Sequence, residues 1–143
     1  MVLSYKFKRQ KLESGQYVMR PIIPITLEGK IKLDTTALID SGCDITLVPE
    51  VIAEAIGLEK SDKTNEVYGY SEKIETVDSK AKIIFLSRNK RDEEAINIPV
   101  SIVKRKDGID DDTELILGIS GIFDKFNIMF MKTSNKILFK KVM

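Results

Sequence analysis

The sequence predicts a mainly β fold in a single domain, and three observations carry that prediction. Short apolar or alternating segments recur from residue 17 onward, separated by glycine, proline, asparagine and charged clusters, which is the punctuation of strands and turns. Only one stretch, residues 50–56, has both the start and the stop signal of a helix. A length of 143 residues with 43% hydrophobic composition suits one core rather than two.

The elements follow in order. Residues 1–16 are polar and basic, with Lys6, Lys8, Arg9 and Lys11 interrupted by Tyr5 and Phe7. They read as an N-terminal arm or edge strand, and residues 17–143 as the domain proper. Tyr17-Val18-Met19 and Ile22-Ile23-Pro24-Ile25-Thr26-Leu27 are strand-like. Ile31-Lys32-Leu33-Asp34 alternates after a break at Glu28-Gly29-Lys30, which predicts a hairpin turning near Gly29. Pro21 and Pro24 belong at an edge or a strand start, since neither can donate to a ladder. Ile45-Thr46-Leu47-Val48 is another short strand. Pro49 then opens the helix, Glu50 favours the positive end of its dipole, and Gly57 caps its C-terminus. Val51, Ile52, Ala55 and Ile56 are expected on the face that packs against the sheet.

Residues 64–74 predict two short strands or a hairpin, bent near Gly69 or Ser71-Glu72. Strands follow over 81–86 and 95–103, with charged loops at 87–94 and 104–114. Leu115-Ile116-Leu117-Gly118 is a fully apolar strand that runs into a glycine. Ser120 is expected to cap a short helix over 121–126. Residues 127–131 and 137–139 then close the chain as a hairpin turning at Ser134-Asn135.

Composition removes several chemistries. Histidine is absent and Cys43 is the single cysteine, so Ser-His-Asp catalysis, Cys-His catalysis and the usual zinc sites are out. One cysteine cannot form an intramolecular disulfide, and a reducing, cytoplasmic interior is the expected compartment. Lys and Arg number 23 against 22 Asp and Glu, a net charge of +1 that gives no drive toward nucleic acid or an anionic membrane. No apolar run approaches the ~20 residues of a membrane span, and the first residues lack the apolar core of a signal peptide. No glycine-rich phosphate loop occurs. The Asp107 and Asp110-Asp111-Asp112 group lacks the glycine and glutamate spacing of a calcium loop and reads as a solvated loop. No metal or cofactor is expected. Any acid–base work falls to carboxylates, lysines or tyrosines.

Among the carboxylates, Asp40 stands out by its setting. Ala37-Leu38-Ile39 can be buried on both faces of a strand and would carry Asp40 on a rigid support to the rim of the core. Ser41 and Gly42 follow in a tight turn that a side chain at 42 would hinder. Asp-Ser-Gly also occurs as a plain turn, so these residues leave both a catalytic and a capping reading open. Cys43, with no histidine to activate it, reads as a small side chain beside the cleft.

Ala37-Leu38-Ile39-Asp40-Ser41-Gly42 resembles the active-site strand of the retropepsin-like aspartic proteases, in which apolar residues precede Asp-Thr/Ser-Gly. Tyr68-Gly69-Tyr70 resembles the flap hairpin of that family, and Leu115-Ile116-Leu117-Gly118 its apolar-apolar-Gly strand. Residues 121–126 and the closing strands resemble its C-terminal helix and final hairpin, and the helix at 49–56 matches a feature of cellular relatives. The resemblance covers residues 20–140. It implies a closed, orthogonal β-barrel of the retropepsin type with one or two short helices. It also implies Asp40 as the catalytic acid, with Ser41 and Gly42 supporting the active-site loop. Cys43, Asp44, Tyr68, Gly69 and Tyr70 would surround the substrate, and Leu117 and Gly118 would form the C-terminal strand of the site.

Carboxylate-driven peptide hydrolysis uses two acids that share one proton. This chain has one Asp-Ser-Gly motif, where relatives of twice the length have two. The resemblance therefore implies a homodimer with Asp40 of each subunit facing the other, acting on a peptide or protein substrate. By the same resemblance, Ser41 would bond to the opposite loop and Gly42 would let substrate backbone approach. Two departures stand out. Ile119 occupies the position where the family often has Arg or Asp, so Asp44 either finds another base or lies exposed, and the flap has a single clear glycine, Gly69. A non-proteolytic module for dimerisation or peptide binding on the same fold stays open, because the acid is present in both.

Overall fold

The computed structural model describes residues 2–69, 72–87, 93–105 and 114–142. Among them are twelve strands, one α-helix and a 3-10 turn. The N-terminal third holds β1 (Val2–Tyr5), β2 (Lys8–Lys11), β3 (Tyr17–Arg20), β4 (Ile22–Glu28), β5 (Lys32–Ile39) and β6 (Thr46–Pro49). Helix α1 (Glu50–Ile56) follows, then β7 (Thr64–Gly69), β8 (Glu72–Leu86) and β9 (Glu93–Val103). The chain ends with β10 (Ile116–Leu117), β11 (Phe126–Met131), the 3-10 turn Lys132–Ser134 and β12 (Lys136–Lys141).

Seven strands form the main sheet in the order β4-β5-β10-β6-β9-β8-β7, and a further β4–β8 pairing brings the sheet back on itself. The mainly β expectation holds. The expected closed barrel is here a ring of paired strands, since the seam consists only of Thr26↔Ile84, Leu27↔Ile83 and Glu28↔Lys82. Pro24 sits inside β4 opposite Thr36, ahead of that seam, so its missing N–H costs the β4–β8 ladder nothing. A separate sheet, β1-β12-β11, packs the two ends of the chain together, and β2 pairs only with β3.

Period-2 alternation fills the core. Ile23, Ile25 and Leu27 of β4 face inward, as do Ile96, Ile98, Val100 and Ile102 of β9. Leu3 and Tyr5 of β1 join them, and the rings of Tyr5 and Phe85 each lie 5.3 Å from that of Phe139, with Phe126 at 5.5 Å from both Phe85 and Phe139. The Tyr5 hydroxyl is buried without a hydrogen-bond partner, and burial raises its pKa far above the ordinary phenol value. Tyr5→Phe is therefore expected to leave stability unchanged or to raise it by up to about 1 kcal/mol. Urea denaturation checks this, and a clear loss of stability would contradict it.

Four readings of the sequence change in detail. Pro49 is the last residue of β6 and the N-cap of α1, with Gly57 closing the helix in the left-handed conformation at φ 73°. Ala53 and Ile56 are the buried residues of α1, whereas Val51 and Ala55 face solvent. In a helix of two turns, the one contact row at i and i+3 decides which face is covered. Glu50 accepts the Arg105 N–H at 2.6 Å, and that bond, with lesser help from Lys60, lowers its carboxyl pKa. Residues 120–125 form consecutive turns rather than the expected helix, because Gly121 has φ +81°. The predicted strand at 81–86 is the end of the 15-residue β8, whose polar Asp78-Ser79-Lys80 centre is paired with Ser101, Val100 and Pro99.

Candidate active site

Strands β5 and β6 are consecutive in the chain but do not pair. Between them lies β10, parallel to β5 through Ile116↔Leu38 and Leu117↔Ile39, and antiparallel to β6 through Ile116↔Leu47. The loop from Asp40 to Ile45 must therefore pass over the end of β10, and backbone hydrogen bonds hold it there. Leu38 N–H donates to Leu115 O at 2.9 Å and Asp40 N–H to Leu117 O at 3.0 Å. From the other side, Ile119 N–H donates to Cys43 O and Ser120 N–H to Asp44 O, each at 2.9 Å. The sequence reading brought Asp40 and Leu117-Gly118 to one site by resemblance, and in the structure they are in direct contact.

Asp40 is half-buried at the end of β5. Its Oδ1 accepts the Gly42 N–H at 2.9 Å and its carbonyl accepts the Cys43 N–H at 3.2 Å, which closes the turn. Gly42 does not need a positive φ here. What it needs is room, because a Cβ at that position would lie 3.2 Å from Asp40 Oδ1. Gly118 is more constrained: a Cβ there would lie 2.6 Å from the Ile45 carbonyl carbon and 2.9 Å from Cys43 O. Ser41 and Asp44 are exposed, and among the described residues no ion pair involves Asp44.

Cys43 is half-buried, and its thiol donates to Ile45 O at 3.0 Å. Burial, followed by the negative charges of Asp40 and Asp44, pushes its pKa up. A thiol held in that form is a poor nucleophile. Thr46 is a residue that the sequence reading passed over, since one threonine in an apolar run carries no signal of its own. It is fully buried, and its Oγ1 accepts the Gly118 N–H at 3.1 Å, joining β6 to the strand beneath the Asp40 loop. Thr46→Val strands that buried N–H and should cost about 1–3 kcal/mol, whereas Thr46→Ser should retain most of the stability. Chemical denaturation of both variants tests the bond; equal losses would show that it contributes nothing.

β7 and β8 pair from Thr64↔Val77 to Gly69↔Glu72, so the sequence-predicted hairpin bends between Gly69 and Glu72. Tyr68 and Gly69 lie at the end of β7, and Tyr70 lies outside the described residues, as do Asp107 and Asp110–Asp112. An open depression between Gly29-Lys30, Gly57–Ser61 and Asp78–Lys82 contains none of the candidate residues. It sits at the β4–β5 turn, at the opposite end of β5 from Asp40. Among the described residues no cluster of acidic and cysteine side chains could hold a metal ion, and no helix is long and apolar enough to cross a membrane.

The chain has the fold of the retropepsin-like aspartic proteases. Among solved structures it is similar to a retropepsin-like aspartic protease from Rickettsia conorii, with a TM-score of 0.55 and 13% identity over 97% of this chain and 91% of that one. It is also similar to EIAV protease complexed with the inhibitor HBY-793, with a TM-score of 0.48 and 14% identity over 69% of this chain and 81% of that one. No family model matches the sequence, and no curated protein matches it.

Proposed function

We propose that this chain is an aspartic endopeptidase that works as a homodimer, each subunit giving Asp40 to a shared carboxylate pair. The observation that carries the reading is the Asp40 loop itself. Its backbone is fixed from both sides by residues 115–120, yet its carboxylate has no acid or base partner among the described residues. A lone carboxylate cannot both take a proton from water and give one to a carbonyl oxygen. Two copies facing across a twofold axis can.

In that pair one proton is shared, because two like charges so close do not both ionise readily. The ionised Asp40 takes a proton from a water molecule as the water oxygen bonds to the scissile carbonyl carbon. The protonated Asp40 gives its proton to the carbonyl oxygen as the C=O π bond opens. In the second step the C–N bond breaks, the nitrogen takes a proton from one carboxyl, and the other recovers a proton as the carboxylic acid product re-forms. The pair titrates as a unit, so the rate should follow a bell-shaped pH profile. Residues 17–143 form the protease domain in this reading. The β7–β8 hairpin holds the substrate as an extended strand, with Cys43 and Asp44 beside it. The single cysteine, Cys43, agrees with a cytoplasmic setting.

A shared site has a kinetic signature. Once the dimer is mostly dissociated, tenfold dilution should lower specific activity about tenfold, because the active species falls as the square of the concentration. Initial rates on a peptide library across an enzyme dilution series test this. Constant specific activity in a range where sedimentation reports monomer would exclude the shared pair.

A further inference from the structure

The β2–β3 ribbon belongs to neither larger sheet. Among the described residues its strands pair only with each other, from Lys8↔Arg20 to Lys11↔Tyr17; half of the strand residues are exposed and none is buried. A two-stranded hairpin is at best marginally stable in water, so a ribbon of this kind needs a surface to lie against. Among the described residues, its own domain supplies only the root. On one leg, Phe7 is buried near Phe130 and takes Asn135 Oδ1 on its N–H at 3.1 Å. On the other, Met19 touches the core, Arg20 pairs with Glu114 at 3.2 Å, and Pro21 O accepts the Ile39 N–H at 2.9 Å. That last bond is one residue from Asp40, so the ribbon rises from the rim of the candidate site.

Charge says what it meets. Lys8, Arg9 and Lys11 have no carboxylate partner among the described residues, and Arg9 lies over the Tyr17 ring at 3.8 Å. Asp40 and Asp44 have no cationic partner among the described residues of their own chain. Two copies that meet through their Asp40 ends bring these acids together, and like charges brought together across an interface oppose association. Cations supplied from the opposite copy offset that repulsion. Tyr17 and Leu12, exposed at the far end of the ribbon, add apolar area of the kind that anchors interfaces.

We propose that the β2–β3 ribbon is a dimerisation arm whose cationic side chains dock on the Asp40–Asp44 loop of a second copy of this chain. The proposal rests on the shared-site reading and assigns the surface that assembles it.

Sedimentation equilibrium of the full chain at low and high salt tests it with two variants. One carries Lys8→Glu, Arg9→Glu and Lys11→Glu together. The other replaces residues 9–19 by Asn-Gly, a two-residue turn that can join Lys8 to Arg20 because they are partners in register. Both are expected to raise the dimer dissociation constant about tenfold or more, and the charge-reversed chain should lose the salt sensitivity of the unaltered dimer. Lys30→Glu with Lys80→Glu, at the opposite end of the domain, should leave dimerisation unchanged. If the shortened chain does not fold, the charge-reversed chain decides. Unaltered chain and ribbon variants that dimerise equally overturn the arm but leave the shared site standing. An unaltered chain that stays monomeric at all concentrations overturns the shared site and, with it, the arm.

Discussion

Asp40→Asn should abolish peptide hydrolysis while leaving the fold and the dimer intact. The amide keeps the size of the side chain, and its oxygen can still accept the Gly42 N–H now bound at 2.9 Å. What it loses is the ability to take up and give back a proton. A dimer of Asp40→Asn chains therefore has no group to take the water proton, and general acid–base catalysis typically contributes about 10²- to 10⁴-fold. The loss should be at the upper end or beyond, because both carboxylates disappear at once and residues of one catalytic unit do not add. A peptide-library digest at acidic to neutral pH, run beside the unaltered protein, reads the effect. Identical product profiles would end the enzymatic reading. A sedimentation profile matching the unaltered dimer is the accompanying control, since a dissociated variant would be inactive for a different reason.

Gly118→Ala should be the most destabilising single methyl group in the site. The added Cβ would lie 2.6 Å from the Ile45 carbonyl carbon and 2.9 Å from both Cys43 O and Ile45 N, all backbone atoms with no rotamer to change. Relief requires β6 and β10 to separate, which also strains the Gly118 N–H bond to Thr46. A cost of about 3 kcal/mol is expected, at the top of the usual range for overpacking. Gly15→Ala gives the comparison. Its φ of +87° makes alanine strained, but nothing lies within 4 Å, so only about 1–2 kcal/mol is expected. Urea midpoints of the two variants separate steric exclusion from a general glycine effect. Equal losses would show that the close approach at Gly118 carries no special weight.

Much of the candidate site was legible along the chain as local geometry, because its signals are local. The apolar run into Asp40-Ser41-Gly42 and the echo at Leu117-Gly118 each occupy a few adjacent residues, and each marks a strand that ends in a tight approach. Thr46 was not legible for the opposite reason. Its role depends on Gly118, which is distant in sequence, and a buried hydroxyl within Ile45-Thr46-Leu47-Val48 looks like any β-branched strand residue. The helix expected over 121–126 failed at a single backbone angle, since apolar spacing does not reveal that Gly121 takes a positive φ. The face of α1 shifted because seven residues give too few turns for periodicity to choose between adjacent rows. The continuity of β8 through Asp78-Ser79-Lys80 was hidden as well, because pairing with β9 overrides the polar composition there.

The insertion of β10 between β5 and β6 also orders events during synthesis. Asp40 leaves the ribosome 77 residues ahead of Leu117, whose O accepts its N–H. Pairings so distant in sequence form late, because closing the intervening chain costs entropy before any contact compensates. The nascent chain thus carries Asp40 before the strand that pins its loop exists. On the proposed function, Asp40 cannot be set in place for catalysis until residues 115–120 have been made.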